Sequence, residues 1–387
     1  MMRQDAPIYL DYNATTPCAP EVVEAMLPWF AERYGNAGSA HALGLLSDGA
    51  VVAAREQVAA LLGADPAEIA FNGCGTEGLN HAFRGVFEAF PSKRHVVTTA
   101  VEHSAVHALV AWLRHQGAEV TVLGVDGQGR LDLAEAEASL RADTALLSAM
   151  AANNETGVRF PVAELAALAR RKGVLFHCDA TQAIGKVGVD VRAWDVDLLN
   201  LSAHKFHGPK GVGALFIRRG VRLKPFMVGG GQERGRRGGT ENVPGIVGLG
   251  RAAALAAARL PEMARVQGLR DRLEAGVRSS VTGVRAEGAE AERLPNTSLL
   301  SFRGLEGEAL LLRLNQAGYC VSTGSACSTG QREPSHVLRA MDVPAEYARG
   351  TIRVTLGHPT TEAEVDGFLQ VLPGLVAELR AQGAFAR

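Results

Sequence analysis

The chain alternates between short, nearly continuous apolar runs and longer stretches whose apolar positions recur three and four residues apart. Runs of the first kind predict buried strands over residues 68–71, 95–99, 119–123, 145–149, 174–178, 197–201 and 213–218. Ala- and Leu-rich stretches between them predict helices over 43–62, 104–116, 134–141 and 162–172. Strand–helix alternation of this kind is the pattern of an α/β domain, a mainly parallel sheet wrapped by helices. No fixed-period repeat is present, which excludes solenoids and propellers. Around Pro261 the character changes. A charged helix over 263–279, a strand over 298–302 and a helix over 306–317 follow. After a Gly/Ser/Thr run come a strand over 351–356 and a last helix from Thr361. This second set predicts a smaller α+β domain. The expected division is a large domain over 13–260 and a small one made of 1–12 and 261–387.

Polar and Gly-rich clusters sit directly after strand after strand. They are Asn72-Gly73-Cys74-Gly75-Thr76-Glu77, Glu102-His103, Asn153-Asn154-Glu155, Asp179-Ala180-Thr181-Gln182 and Ser202-Ala203-His204-Lys205. In an open parallel sheet the carboxyl ends of the strands form one edge, and ligands bind there. Five clusters on one edge define a candidate site.

Gly73-Cys74-Gly75-Thr76 leads into a helical run from Glu77 to Phe90. Small residues let the backbone approach closely, and a helix start offers free N–H groups to a phosphate. A tight turn capped by Thr76 would look the same in sequence. The spacing is neither a P-loop nor GxGxxG. Asp179 ends an apolar strand, where its carboxylate needs a cationic partner: an Arg, a metal or a protonated ring nitrogen. Lys205 also follows an apolar strand. A desolvated lysine there suits Schiff-base chemistry, and a structural ion pair is the alternative. Aspartate, lysine and phosphate cradle on one edge are together the parts of a pyridoxal-phosphate site.

The remaining candidates are less self-sufficient. His103 and His107 share a helix face but lack the companion ligands of a metal motif, so a ring packed beside or stacked on a planar cofactor fits them better. Cys327 lies in Ser322-Thr323-Gly324-Ser325-Ala326-Cys327-Ser328-Thr329-Gly330, a run with no core pattern, where a thiol is open to chemistry. Cys178 and Cys320 read instead as buried and inert. Arg353 interrupts an apolar strand. It either grips a carboxylate bidentately or points outward. The Gly- and Arg-rich run 229–240 lacks the aromatics of a nucleic-acid segment and predicts a loop that brings Arg and Thr240 to a phosphate or a partner subunit.

Composition narrows the classes further. The chain has 387 residues, 47% hydrophobic, with 40 Lys+Arg against 41 Asp+Glu and a net charge of −1. That balance lacks the broad positive field of a nucleic-acid or anionic-membrane binder. The most apolar stretch, 245–260, is interrupted by Arg251 and Arg259, short of the ~20 apolar residues of a bilayer span. Met1-Met2-Arg3-Gln4-Asp5 is not the start of a secretory leader, and five scattered cysteines do not form a disulfide framework. A soluble cytoplasmic protein is expected.

With these residues assembled, the chain resembles the cysteine desulfurases of the iron–sulfur assembly and nitrogen-fixation type, fold-type I pyridoxal-phosphate enzymes of the class V aminotransferase group. The resemblance begins at Ile8-Tyr9-Leu10-Asp11-Tyr12-Asn13-Ala14-Thr15-Thr16-Pro17 and runs almost to the carboxyl end. Its motifs are Thr99-Ala100-Val101-Glu102-His103, Asn153-Asn154-Glu155-Thr156-Gly157, His177-Cys178-Asp179-Ala180-Thr181-Gln182, Ser202-Ala203-His204-Lys205, Gly238-Gly239-Thr240-Glu241-Asn242 and Gly324-Ser325-Ala326-Cys327. Gly73-Cys74 and Gly78-Leu79 depart from the usual residues around the Gly75-Thr76 centre.

The resemblance implies a role for each residue. Lys205 would hold the pyridoxal phosphate and move protons, Asp179 would pair with its ring nitrogen, and His103 would stack on the ring and assist acid–base steps. Gln182 and Asn154 would contact its phenolic oxygen and surroundings. Gly75, Thr76, Ser202 and His204 would cradle its phosphate, with Thr240 arriving from the second subunit of a homodimer. Arg353, helped by Asn13, would hold the carboxylate of the substrate L-cysteine. Cys327 would take the sulfur as a persulfide, release L-alanine, and serve an iron–sulfur scaffold or other acceptor, with transient cluster ligation by its thiol. A selenocysteine lyase or other class V enzyme is the neighbouring alternative, and an inactive scaffold of the same fold the more distant one.

Overall fold

The computed structural model describes residues 7–323 and 334–384. Its strands are β1 (Ile8–Tyr9), β2 (Ile69–Asn72), β3 (His95–Thr99), β4 (Glu119–Leu123), β5 (Thr144–Met150), β6 (Leu175–Asp179), β7 (Leu198–Ser202) and β8 (Gly213–Ile217), then β9 (Val284–Ala286), β10 (Thr297–Phe302), β11 (Tyr319–Cys320) and β12 (Thr351–Thr355). The central sheet has seven strands in the order β2-β8-β7-β6-β5-β3-β4. β8 runs antiparallel to both of its neighbours, and the other adjacent pairs are parallel. Six strands therefore point the same way, and their carboxyl ends share one edge. β2, β3, β5, β7 and β8 are buried at every position, and β6 at all but its first. That is why each reads as a continuous apolar run rather than an alternation. β6 and β7 extend one residue further than the sequence predicts, because Asp179 and Ser202 still belong to the hydrogen-bonded ladder.

The helices around the sheet follow their caps and their apolar spacing. Helix Ala42–Leu62 starts at His41, whose side chain accepts from the Gly44 N–H, and ends at Gly63 in the left-handed region with φ of 65°. Val51, Ala54, Val58 and Leu62 form its buried face, and it packs on helix Val243–Arg259. The contact is close at Gly250, where a Cβ would lie 2.6 Å from the Ala54 Cα. Val243–Arg259 continues through a tight turn into Met263–Ser280, so the combined helix meets the length and composition of a membrane span that the interrupting arginines argue against. Its apolar residues Ile246, Leu249, Ala252 and Ala253 are buried within the protein, which accounts for their character without a bilayer.

A second apolar core forms beside the first. Sheet β12-β10-β9 is antiparallel, and helices Met263–Ser280 and Glu362–Ala384 pack on it through Val266, Leu273, Val277, Phe368 and Leu372. Leu10, from the amino-terminal end, belongs to this core. Val337, Leu338, Met341 and Val343 join the core of the central sheet instead, so the chain crosses back after residue 333. β1, β9 and β11 have two or three residues each, too few to leave a periodic trace in the sequence.

Candidate active site

The shared carboxyl edge opens into a cavity of about 290 Å³. Gly75 and Thr76 after β2, His103 after β3, Asn154 after β5, Asp179 and Gln182 at β6, and Ser202, His204 and Lys205 at β7 all line it. Nine residues predicted from five separate clusters thus meet around one space.

Lys205 ends a short 3-10 turn that follows β7. Its Nζ donates to the Asn13 and Ala14 carbonyls at 2.7 and 2.9 Å, so the amine is held against the amino-terminal segment. The same segment receives the Gln182 Nε2 at the Asn13 carbonyl, 3.0 Å away, and the Thr16 Oγ1 donates to the His204 carbonyl. Burial, assisted by the charges of Lys205 and Lys210, pulls the His204 imidazole down to about 4.

Asp179 is fixed by donors alone. The Thr181 N–H reaches its Oδ1 at 3.0 Å and the Asn200 Nδ2 at 3.2 Å. Because a carboxylate only accepts, the Asn200 amide must turn its Oδ1 toward His177, whose Nε2 donates at 2.7 Å. His177 Nδ1 then accepts from Ser148 Oγ at 2.8 Å, and burial holds this imidazole near 4, in its neutral form. A buried chain of three side chains, Ser148, His177 and Asn200, therefore sets the orientation of Asp179. Asn200 was not singled out in the sequence, although an amide inside an otherwise apolar strand is a readable signal. Helix Gly75–Ala89 comes close enough to cover it because residue 78 is Gly, where a Cβ would sit 3.0 Å from the Asn200 Cβ.

His103 caps helix Ser104–His115, its Nδ1 accepting from the Ala105 N–H at 3.2 Å. The neutral ring therefore carries its proton on Nε2. Burial lowers its pKa, with Lys205 and His336 adding to the effect and Asp179 opposing it. His107 does not line the cavity and packs edge-on against His336 instead. Two carboxyl groups adjacent in sequence to lining residues, Glu102 before His103 and Glu155 after Asn154, are buried. Burial raises Glu102 to about 8 and also raises Glu155.

The far end of the cavity suits a phosphate. Helix Gly75–Ala89 starts at Cys74 without any side-chain cap, so its first N–H groups lack the usual internal acceptor. Thr76 sits in the first turn rather than at the cap. The Ser202 Oγ is buried and has no hydrogen-bond partner among the described residues. A side chain at Gly75 would touch the Thr181 Oγ1 at 3.4 Å and the Ser202 Cβ at 3.7 Å, and so would fill the space between them. An uncapped helix start, an unsatisfied hydroxyl and an absent side chain together fit an anionic oxygen cluster. Cys74 and Leu79, at the two departures from the family pattern, also line the cavity.

Other predicted residues lie outside this lining. Arg353 is buried rather than outward. Its Nη2 pairs with Asp11 Oδ1 at 2.7 Å and its Nη1 donates to the Asn154 carbonyl at 2.9 Å. Asn13 is buried, and its Nδ2 donates to that same carbonyl at 3.1 Å. Thr240 is exposed and lines a separate hollow with Asn72, Gly73 and Arg237. Cys327 lies outside the described residues. The flanks of that segment are ordered about the site: Ser322 pairs with Arg353 through the backbone, and His336 Nε2 donates to the Glu102 carbonyl at 2.8 Å. Sequence reading also passed over Asp11 and Lys186, which sit just behind the lining.

The sequence matches the aminotransferase class-V family over residues 8–368. It is 52% identical over 379 residues to Cysteine desulfurase 2 of Trichormus variabilis, covering 98% of this chain and 95% of that protein. A cysteine desulfurase of Cereibacter sphaeroides is also 52% identical, with 98% of each chain covered. Among solved structures, a NifS-like protein superposes with a TM-score of 0.91 at 40% identity, covering 96% of this chain and all of the other. A second, SspA in complex with cysteine, gives a TM-score of 0.80 at 32% identity, covering 90% and 98%. On its sequence, its sheet order and the residues gathered at the sheet's edge, this chain belongs to the aminotransferase class-V family, among the cysteine desulfurases.

Proposed function

We propose that the protein is a pyridoxal-phosphate-dependent cysteine desulfurase that converts L-cysteine to L-alanine and takes the sulfur onto Cys327. One observation carries the reading: the Lys205 amine and the Asp179 carboxylate share a cavity whose other end is an uncapped helix start beside the unsatisfied Ser202 hydroxyl. Pyridoxal phosphate, when bound, supplies the electron sink that weakens the bonds around the substrate's Cα.

The chain's own residues do the rest. Lys205 would anchor the cofactor, and its amine would move protons during turnover. Asp179 would pair with the protonated ring nitrogen, and neutral His103 would stack on the ring and assist acid–base steps. Gln182 and Asn154 serve the phenolic oxygen and its surroundings. Gly75, Thr76, Ser202 and His204 bind the phosphate. Arg353, with Asn13, takes the substrate carboxylate by exchanging Asp11 for it. The Cys327 thiolate attacks the substrate sulfur. The Cβ–S bond breaks, its electron pair stays with the carbon fragment, and that fragment leaves as alanine after protonation.

The same reading includes a homodimer in which Thr240 completes the partner's phosphate site. Exposed Leu27, Phe30, Tyr34, Leu45, Leu46 and Val52, all between residues 27 and 52, support it, since a monomer seldom leaves so many large apolar side chains in water. A separate apolar core shared by Leu10 and residues 263–376 supports a large domain over 13–260 and a small one over 1–12 and 261–387, with Val337, Leu338 and Met341 of the latter packed back onto the core of the large one. An iron–sulfur scaffold or other acceptor would discharge the persulfide, with Cys327 as a transient ligand of a nascent cluster. Free cysteines among the described residues accord with a cytoplasmic, reducing location.

The test is the visible spectrum of the purified protein before and after L-cysteine, with alanine and sulfide assayed in the same tube under reductant. A yellow protein whose band changes, and whose products vanish in Cys327→Ala, is expected. Undiminished turnover by Cys327→Ala would mean an elimination that needs no thiol. A protein that stays colourless after incubation with pyridoxal phosphate would overturn the enzyme reading.

A further inference from the structure

The ion pair at Arg353 has a second half, Asp11, which the proposed reaction displaces but does not otherwise use. Arg353 Nη2 donates to Asp11 Oδ1 at 2.7 Å, and the two side chains differ in their surroundings: Arg353 is 3% exposed and Asp11 17%. The guanidinium is also held through its Nη1, which donates to the Asn154 carbonyl at 2.9 Å, and its backbone pairs with Ser322. At Asp11 the backbone is fixed without help from the carboxylate. Tyr9 Oη donates to the Asp11 carbonyl at 2.9 Å, and Asp11 bridges in parallel to Thr355 of β12. An uncharged acceptor at position 11 would leave this geometry intact.

Other acidic groups near Arg353 do not stand in for Asp11. Burial raises the Glu155 carboxyl, with Ser335, His336 and Arg353 opposing it. Burial also raises the Tyr9 phenol to about 12 and lifts the Cys320 thiol, the charge of Asp11 adding to both, so these two stay neutral at ordinary pH. Among the described residues Asp11 is therefore the carboxylate in contact with this guanidinium. A ligand carboxylate arriving at Arg353 must displace Asp11 or share a charge that Asp11 already neutralises, and either course weakens its binding. Asp11 can give way because it reaches water, whereas a buried Arg353 with no carboxylate at all would be costly.

We propose that Asp11 is a positioning residue of the reaction, an internal competitor that loosens the hold of Arg353 on the ligand carboxylate and takes the guanidinium back as L-alanine leaves. The inference rests on the function proposed above and deepens it. L-cysteine and L-alanine carry the same carboxylate, which the reaction leaves untouched. A grip on it is uniform binding: it lowers KM without raising kcat, and it holds the product as firmly as the substrate. Asp11 reduces that grip at both ends of the reaction, so the product is not retained by the group that admitted the substrate.

The experiment titrates the visible band of the pyridoxal-phosphate-loaded protein with L-alanine and with ethylamine, its counterpart without a carboxylate, for the parent, Asp11→Asn and Asp11→Ser. In Asp11→Asn the dissociation constant for L-alanine is expected to fall about tenfold, because the competing charge-assisted hydrogen bond becomes a neutral one of about half its strength. The constant for ethylamine should stay at the parent's value, whereas a merely structural role would move both ligands alike. KM for L-cysteine should fall in step with the L-alanine constant, and kcat should not rise. An L-alanine constant equal to or above the parent's, or equal shifts for the two ligands, would overturn the proposal. If Asp11→Asn does not fold, the same result in Asp11→Ser overturns it equally. A parent that binds L-alanine no better than ethylamine would instead sink the carboxylate role of Arg353, and a parent with no visible band the cofactor reading, so the failures are distinct.

Discussion

Glu102 offers the cleanest quantitative test of how this site is built. It is fully buried, and its Oε1 accepts from Thr99 Oγ1 at 2.8 Å and from the Met150 N–H at 3.0 Å. Its Oε2 has no partner among the described residues. Burial, with the negative charge of Asp179 adding to it, raises the carboxyl from 4.5 to about 8. The unfolded chain releases this proton near pH 4.5, whereas the folded protein keeps it to about 8. Over that window the unfolded state binds fewer protons, so stability falls as pH rises, by about 1.4 kcal/mol per unit. The contribution is fully present below the unfolded pKa and lost as pH climbs through the folded one. Glu102→Gln cannot titrate, yet keeps an acceptor for Thr99 and Met150. Between about pH 5.5 and 7.5 the variant should therefore gain about 3 kcal/mol on the parent, whatever the other groups do, because those terms cancel in the comparison. Urea unfolding of both proteins across that range measures it. Parallel pH profiles would refute the reasoning and mean that Glu102 is ionised in the folded protein.

Three further outcomes follow from the geometry. Asn200→Leu strands His177 Nε2 and removes a donor from Asp179, which should cost about 1–3 kcal/mol for each orphaned buried group and weaken pyridoxal-phosphate binding; a cofactor titration with unchanged affinity would count against the buried chain. Arg55 and Glu233 form a buried bidentate pair at 2.7 and 2.9 Å that ties the 229–240 run to β2. Glu233→Ala alone should destabilise by about 3–5 kcal/mol, whereas Arg55→Met with Glu233→Met should fall much closer to the parent; urea midpoints showing simple addition would sink that reading. Gly250→Leu drives a side chain into Ala54 and should cost about 1–3 kcal/mol or more in thermal unfolding, without altering the cavity's lining.

Much of this was open to reading along the chain because burial leaves a one-dimensional trace. Strands β3 and β4 begin and end where the apolar runs do, and helix Ala42–Leu62 lies within a residue of its expected start. A strand covered on both faces is mostly apolar, its few interior polar residues such as Ser148, His177 and Asn200 pairing with one another, and ligand groups gather at the carboxyl ends. Gly75, Thr76, His103, Asn154, Asp179, Gln182, Ser202, His204 and Lys205 could therefore be named in advance and are found around one cavity. The short strands β1, β9 and β11 were not readable, since two or three residues cannot display a period.

What the sequence alone determined was the class of fold and the inventory of chemical groups, because both depend on residue type and local spacing. Tertiary structure decided which groups answer to one another. Arg353 looked as apt to face solvent as a ligand until β12 packed it against Asp11, 342 positions away. Asn200 carries no signature beyond being polar among apolar neighbours, and it acquires a role only from the partners it is folded against. Thr240 lies in its own hollow, apart from this chain's cavity. The physical reason is that hydrogen bonds and charge interactions act over a few ångströms of space and not along the chain. Hydrophobic periodicity survives in one dimension, whereas the direction of an amide or the burial of an ammonium exists only in three.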